Sequence, residues 1–280
     1  MVHNNYSDRA ENMAKRPKNL TQIRLPKSLK VERRGAVAIV TLARPEKRNA
    51  LNDTTVLGLE TFFATLPAGV KAVVLNAEGK HFSAGLDLSE LKVLGTEEGV
   101  AHSRLWHGIF DKIEFGRVPV VTVMHGAVVG GGLELAAATH IRVAERSAYY
   151  ALPEGSRGIF VGGGGSVRIP RLIGVSRMMD LMLTGRTYGA EEGQAFGLSH
   201  YLVEPGEGLA KGIEIAKRVA TNSPTTNFAI MQALPRIAEQ DRASGYVMES
   251  LTSAIAQSND EAKKRIKDFL EKRAAKVKRT

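Results

Sequence analysis

Hydrophobic residues are distributed in two ways along this chain. Up to about residue 162 they come as short, continuous, β-branched runs; beyond it they recur at helical spacing. Val37 to Leu42 (VAIVTL) ends at Arg44-Pro45 and predicts a buried strand followed by a stop. Ala72 to Leu75 and Val120 to Met124 predict two further buried strands, and Ile141 to Ala144 and Ala148 to Ala151 two short ones. Asp53 is the expected N-cap of a helix from Thr54 to about Leu66, closed by Pro67. Glu78 to Asp87 (EGKHFSAGLD) reads as a loop and Gly132 to Ala138 as a buried helix. After Gly162, helices are expected over 163–172, 176–183, 190–196, 209–220, 225–238, 241–257 and 259–276, interrupted by a strand at Tyr201 to Val203. Apolar strands alternating with helices predict an α/β layer fold with a covered sheet, and then a mostly helical back part.

The run from Val118 to Ala138 is apolar enough to raise a membrane span. It also carries Pro119, His125, Glu134 and glycines at 126, 130, 131 and 132, a load that a spanning helix does not tolerate. It is better read as strand, glycine loop and buried helix, so no membrane is expected as a partner. The chain has 280 residues and no cysteine, which excludes a disulfide framework, a thiol nucleophile and cysteine-ligated metal sites. It is compatible with a reducing cytoplasm.

The net charge of +10 sits at the two ends. Residues 1–34 hold nine basic and three acidic side chains, as do residues 261–280, so each end carries +6 and the middle is near neutral. Basic ends suggest contact with an anion, whether nucleic acid, a membrane surface or a phosphorylated ligand. Residues 1–28 contain no apolar secretory core, and Asp8, Glu11 and Pro17 argue against a transit peptide. They read as a disordered basic extension.

Glu134 is the most unusual residue, a carboxylate among Leu133, Leu135, Ala136, Ala137 and Ala138. Burying it is costly without a partner or a purpose, and the start of a helix after a glycine triplet favours its ionised form. It reads equally as a general base or as a structural carboxylate holding a neighbouring amide. Glu154 follows Pro153 in a turn; alone it is a turn residue, and in one cleft with Glu134 it becomes an acid/base partner. Ser83-Ala84-Gly85-Leu86 and Gly130-Gly131-Gly132 offer backbone amides that can hold a developing oxyanion, though tight turns are the commoner use of glycine. Gly162 to Gly165 matches neither a phosphate-binding loop nor a dinucleotide fingerprint. There is no G-x-S-x-G, and the seven histidines form no metal-binding pair, so no metal site is expected. Trp106, Phe110 and Phe115 read as core, and His102 and His107 as surface or pocket-wall residues.

Six segments, taken in order, resemble the crotonase, or enoyl-CoA hydratase/isomerase, superfamily. They are Ala43 to Asn52 (ARPEKRNALN), Gly79 to Leu88 (GKHFSAGLDL), Gly126 to Ala136 (GAVVGGGLELA), Pro153-Glu154, Gly162 to Leu172 (GGGGSVRIPRL) and Leu183 to Gly197 (LTGRTYGAEEGQAFG). The resemblance runs from about Val31 to the C-terminus. It implies a spiral of ββα units over 29–205 and a helical trimerisation region over 206–280, with trimers commonly paired into hexamers.

The resemblance also implies an acyl-CoA thioester as ligand. The amides of Leu86 and Gly131 would polarise the thioester carbonyl. Glu134 and Glu154 would be the catalytic pair of a hydratase, adding water syn to a 2-trans-enoyl-CoA. Substrate and CoA contacts would fall on Lys47, Arg48, Ala84, Gly85, Asp87 and Leu88. Phe269 would pack near the adenine, and Lys272 would approach the CoA phosphates of an adjacent subunit. No cofactor is implied, coenzyme A being part of the substrate. A Δ3-Δ2 isomerase and a hydroxyacyl-CoA hydratase-lyase are the alternatives on the same scaffold, and an RNA-binding homologue a remote one; nucleic acid is not expected as a partner, because the basic ends lack interleaved aromatics. The setting implied is cytoplasmic, or the mitochondrial matrix in a eukaryote. One departure from the family's pattern is His140, where relatives often carry Asp. The region 91–110 matches no subfamily and leaves the acyl group open.

Overall fold

The computed structural model describes residues 17–90, 95–258 and 260–271 and divides the chain into two compact units, 1–219 and 220–280. In the first unit a six-stranded sheet runs β1 (Leu29–Arg34), β2 (Val37–Leu42), β3 (Ala72–Ala77), β4 (Val120–Met124), β6 (Ile141–Glu145) and β9 (Tyr201–Val203). The β1–β2 pair is antiparallel and every later pair is parallel. The central strands are continuous apolar runs because both faces of a parallel sheet are covered; all five residues of β4 are buried. Each buried Val contributes about 1.5–3 kcal/mol over its exposed state.

A second sheet holds β5 (Ala127–Val129), β7 (Tyr149–Ala151) and β8 (Tyr188–Gly189). Two successive ββα turns are therefore explicit: β4–β5–α3 (Gly131–Ala137) and β6–β7–α4 (Gly165–Ile173). The bridge between Ser83 and Val128 adds the 83–86 loop to the second sheet, so β3, that loop and α2 (Thr96–Glu114) form an earlier turn of the same spiral. This is the expected α/β class and ββα winding. Helices α1 (Asp53–Ala64), α5 (Val175–Thr184), α6 (Ala190–Phe196) and α7 (Gly208–Ala220) complete the unit.

The structure departs from the sequence reading in four places. Residues 17–28 do not continue a disordered extension: Leu20, in a single turn over Leu20–Gln22, is buried in the core, and Ile23 and Leu25 pack against it. Residues 1–16 lie outside the described residues. The N-cap of α1 is Asn52, not Asp53; its extended backbone (φ −114°, ψ 168°) lets Oδ1 accept from the Thr55 amide at 3.0 Å, and Asp53 becomes the first helical residue. β1 carries Lys30, Glu32, Arg33 and Arg34, which hide it from an apolar-run search and suit an exposed sheet edge. Finally, α7 belongs to the first unit rather than to a helical region starting at 206. Gly208 and Gly212 lie so close to the sheet that an added Cβ would stand 2.6 Å from the Val123 side chain.

The second unit is helical: α8 (Pro224–Ile237), α9 (Arg242–Ser258) and α10 (Asp260–Leu270). Arg265 donates to the Thr221 carbonyl at 2.6 Å, tying α10 to the unit's own start. Tyr246, Val247, Leu251 and Ile255 of α9 are exposed. Among the described residues no helix is long and apolar enough to cross a membrane.

Candidate active site

Three loops meet between the sheets, and Asn49 stitches the first two together. Its Nδ2 donates to the carbonyls of Glu78 and His81, both at 2.8 Å, and its Oδ1 accepts from the Arg44 amide at 2.8 Å. Ser83 Oγ donates to the Asn49 carbonyl at 2.9 Å. Arg48 and Asn49 both have positive φ (51° and 53°), an unfavourable conformation that these bonds hold in place. The next segment is fixed by backbone: Ala84 donates to Arg48, Leu51 to Gly85, and Asp87 to Leu51. On its other side Ser83 pairs with β5, donating to Ala127 and accepting from Val129.

This stitching leaves two amides pointing into one space. Neither the Leu86 nor the Gly131 N–H has a protein acceptor among the described residues. A Cβ placed on Gly131 would stand 3.5 Å from the Leu86 nitrogen, and one placed on Gly85 would stand 3.2 Å from the Gly131 nitrogen. Gly85 has φ +89°, so its conformation and this close approach both require glycine. Converging, unengaged amides are the arrangement that stabilises an oxyanion.

Glu134, in the first turns of α3, is buried against the third loop. Its Oε1 accepts from the amides of Gly163 and Gly165, both at 2.8 Å. Burial pushes its carboxyl up in pKa, while the two amides and the charge of Arg168 act the other way. The sequence reading expected the helix start to favour the ionised form; desolvation is the larger influence, because α3 is only seven residues long and its first turns are fully enclosed.

Glu154 approaches from the turn after β7. A Cβ on Gly130 would stand 2.7 Å from its Oε1, so the carboxyl lies over the residue that precedes the Gly131 amide. Its Oε2 is buried and has no hydrogen-bond partner among the described residues. Burial raises its pKa, and the charge of Glu134 raises it further, which brings the two carboxyls into one electrostatic unit.

Helix α2 forms the facing wall, which 91–110 did not disclose as sequence. Trp106, Ile109, Phe110 and Ile113 are its buried face. Trp106 Nε1 donates to Asp53 Oδ1 at 3.0 Å, and His102 lies 2.9 Å from the same oxygen. Trp106 belongs to the buried core, as its sequence reading has it, and its indole also reaches within 3.4 Å of a Cβ position on Gly131, so it forms part of the wall. Ser103 donates to the Gly162 carbonyl at 2.7 Å, joining the wall to the loop that holds Glu134.

The remaining expected site residues fall differently. Lys47 and Arg48 are exposed beside the first loop, Ala84 is half-buried and Leu88 is exposed. Asp87 is buried and its carboxylate is engaged within the protein: one oxygen pairs with Arg44 at 2.8 Å and the other accepts from Ser89 Oγ at 2.6 Å, which holds its carboxyl below the usual carboxylate range. Phe269, on α10, is 72% exposed, and Lys272 lies outside the described residues. Among the described residues no cluster of three metal-ligating side chains occurs. Asn49, Ser83, Arg44 and Trp106 were not singled out for these roles from sequence. The available signal was an asparagine and an arginine inside a segment otherwise read only as a motif.

His140 has a structural role. Its Nδ1 accepts from the Val120 amide at 3.0 Å, so its Nε2, 2.9 Å from the Glu114 carbonyl, donates there. Burial pushes its pKa down to about 4. The unfolded chain, with an ordinary histidine near 6.5, binds the proton first. Stability is therefore fully present above about pH 6.5 and falls as pH drops toward 4, by about 3 kcal/mol over that span. The buried carboxyls shift stability in the opposite sense, so the check is the difference in denaturation midpoints between wild type and His140→Asn at pH 7 and pH 4.5. The variant is expected to lose less on acidification.

Two linked sheets in a ββα spiral, with two converging, unengaged amides beside two buried carboxyls, define the class of fold and site. The profile described as "Enoyl-CoA hydratase/isomerase" matches residues 32–279, and the chain belongs to that family. It is 33% identical over 246 residues to the short-chain-enoyl-CoA hydratase of Clostridium acetobutylicum, covering 87% of this chain and 94% of that one. The solved structure of a protein assigned as an enoyl-CoA hydratase from Rhodopseudomonas palustris is 57% identical, with a TM-score of 0.87 over 91% of this chain and 99% of its own. The enoyl-CoA hydratase of Bacillus anthracis is 29% identical, with a TM-score of 0.82 over 88% of this chain and 97% of its own.

Proposed function

We propose that this protein is an enoyl-CoA hydratase that adds water reversibly to a 2-trans-enoyl-CoA thioester. The observation that carries the reading is the convergence of the unengaged Leu86 and Gly131 amides beside Glu134 and Glu154. The thioester carbonyl oxygen accepts from both amides. Addition at C3 pushes electrons onto that oxygen, and donors already in place stabilise the resulting enolate by about 3–4 kcal/mol each.

The two carboxyls divide the proton work. Burial raises both carboxyls, and the amides and Arg168 that act against it at Glu134 make Glu134 the member of the pair that carries the charge and orients the water. Glu154, with a buried unpartnered oxygen beside that charge, keeps its proton for C2. The water oxygen bonds to C3, the proton of Glu154 goes to C2, and the water's proton returns to Glu154. Both come from one face, giving syn addition, and the step balances with water alone. Lys47 and Arg48 supply cations for the CoA phosphates, and Phe269 and Lys272 belong to the same reading as adenine and phosphate contacts to the CoA of an adjacent subunit.

The test is loss of enoyl absorbance with crotonyl-CoA and cinnamoyl-CoA, followed by product identification. A 3-hydroxyacyl-CoA is expected. A shifted double bond or a released aldehyde would assign the isomerase or hydratase-lyase chemistry instead, and no turnover of either thioester would overturn the reading.

A homotrimer, or a hexamer of paired trimers, is part of the proposal. Its support is apolar surface that an assembly would cover: Phe160, Val167, Val175, Met179 and Leu183 in the first unit, and the α9 face in the second. Sedimentation equilibrium is expected to give a multiple of three chains; a monomer at micromolar concentration would refute it. A cytoplasmic setting fits a cysteine-free chain with bacterial relatives.

A further inference from the structure

The loop that holds Glu134 is itself held: Ser103 bonds its Gly162 carbonyl, and Arg168 reaches it from the helix that follows. Arg168 of α4 is nearly buried, with 8% of its side chain exposed. Its Nε pairs with Glu114 Oε2 at 2.5 Å and its Nη2 with Asp111 Oδ1 at 2.6 Å, both on α2. Its Nη1 donates to the Gly163 carbonyl at 3.1 Å. Gly164, at φ +94°, lies so close that an added Cβ would meet Nη1 at 2.3 Å. Gly163 and Gly165, on either side of it, are the residues whose amides reach Glu134 Oε1.

We propose that Arg168 is a positioning residue for Glu134: its guanidinium locks the 163–165 loop against α2 so that two amides converge on one carboxylate oxygen. The planar fork spreads its donors over three nitrogens, each on a separate acceptor, whereas an ammonium presents all its donors from one point. The carboxylates of α2 neutralise the guanidinium, so it enters the interior as part of a network rather than as an isolated charge. The same helix carries Trp106 and Phe110, which places the acyl-side wall and the base in one rigid frame.

The groups that face Glu134 are Glu154 across the start of α3, the amides of Gly163 and Gly165, and Arg168 behind them; Asp111, Glu114 and His107 surround Arg168 in turn. Removing Arg168 takes away a positive charge, leaves two acids on α2 and loosens both amides. All three changes favour the protonated form of Glu134.

This inference rests on the hydratase reading for its kinetic arm, and has a second arm independent of turnover. Arg168→Gln is expected to lower kcat at least about tenfold with KM within about threefold. It is also expected to move the acid limb of the kcat–pH profile up by about one unit. Arg168→Lys, which keeps the charge but not the fork, is expected to leave that limb near its wild-type position while recovering only part of kcat. In the ligand-free protein carrying 13C-labelled glutamate, the Glu134 carboxyl titration is expected to move upward in Arg168→Gln. Wild-type kcat and an unmoved acid limb in both variants, with only thermal stability lowered, would make Arg168 a fold clasp and overturn the proposal. If Arg168→Gln does not fold, wild-type kcat in Arg168→Lys overturns it. If the wild-type enzyme hydrates neither thioester, the hydratase reading fails, and an unmoved Glu134 titration would separately refute the role of Arg168.

Discussion

Glu134→Gln and Glu154→Gln are each expected to reduce hydration by about a hundredfold or more, the usual scale for a positioned acid or base. The amide side chain is nearly isosteric, so the fold and the oxyanion amides are preserved. The two variants should nonetheless differ. In Glu134→Gln the side-chain oxygen can still accept from Gly163 and Gly165. In Glu154→Gln the proton donor to C2 is gone, and so is exchange of the α-proton of a saturated acyl-CoA. The double variant should lose little more than the worse single one, since groups acting as one unit are far from additive. Acyl-CoA binding, read by calorimetry, should persist in all three. Turnover near wild type in either single variant would eliminate the two-carboxylate mechanism.

Gly85→Ala is expected to lower kcat by about 10² to 10³ with a small change in KM. The added methyl would stand 2.7 Å from the Val129 carbonyl and 3.2 Å from the Gly131 nitrogen, both backbone atoms that cannot rotate away. The position also has φ +89°, which costs an L-residue about 1–2 kcal/mol. The loop must shift, carrying the Leu86 amide off the developing charge, and loss of one such donor costs about two to three orders of magnitude in rate. Leu86→Ala is the control: it keeps the backbone donor and should retain most activity at the carbonyl. Steady-state kinetics on a single enoyl-CoA distinguish the two. A Gly85→Ala enzyme with wild-type kcat would show that the Leu86 amide is not an oxyanion donor.

Most of the scaffold was legible in sequence because its strands are buried on both faces. Runs such as VAIVTL and VVTVM are short and rich in β-branched residues, which favours strand over buried helix, and β2 and β4 begin and end where their apolar runs do. β1 was missed because an edge strand is half polar, β5 because its AVV run lies between glycines and read as loop, and β8 because two residues carry no periodicity. The candidate carboxylates and amides were visible through glycine clusters and a glutamate in an alanine run. What holds them was not. Asn49 acts through the carbonyls of Glu78 and His81 and Arg168 through the carboxylates of Asp111 and Glu114, partners far along the chain whose geometry residue type does not encode. The partners of Asp87 were equally invisible in sequence, since Arg44 lies outside its segment and meets its carboxylate only through the fold.

Trp106 is the chain's one tryptophan, and its indole sits beside the Gly131 amide with its nitrogen bonded to Asp53. The protein thus carries a single indole, which can be excited apart from its six tyrosines, at the place where an acyl carbonyl would seat. Its emission is a site-specific optical signal, free of background from other indoles. Polarity changes at the oxyanion amides should appear as a shift in emission maximum, so stopped-flow fluorescence can time the arrival of the thioester separately from its hydration.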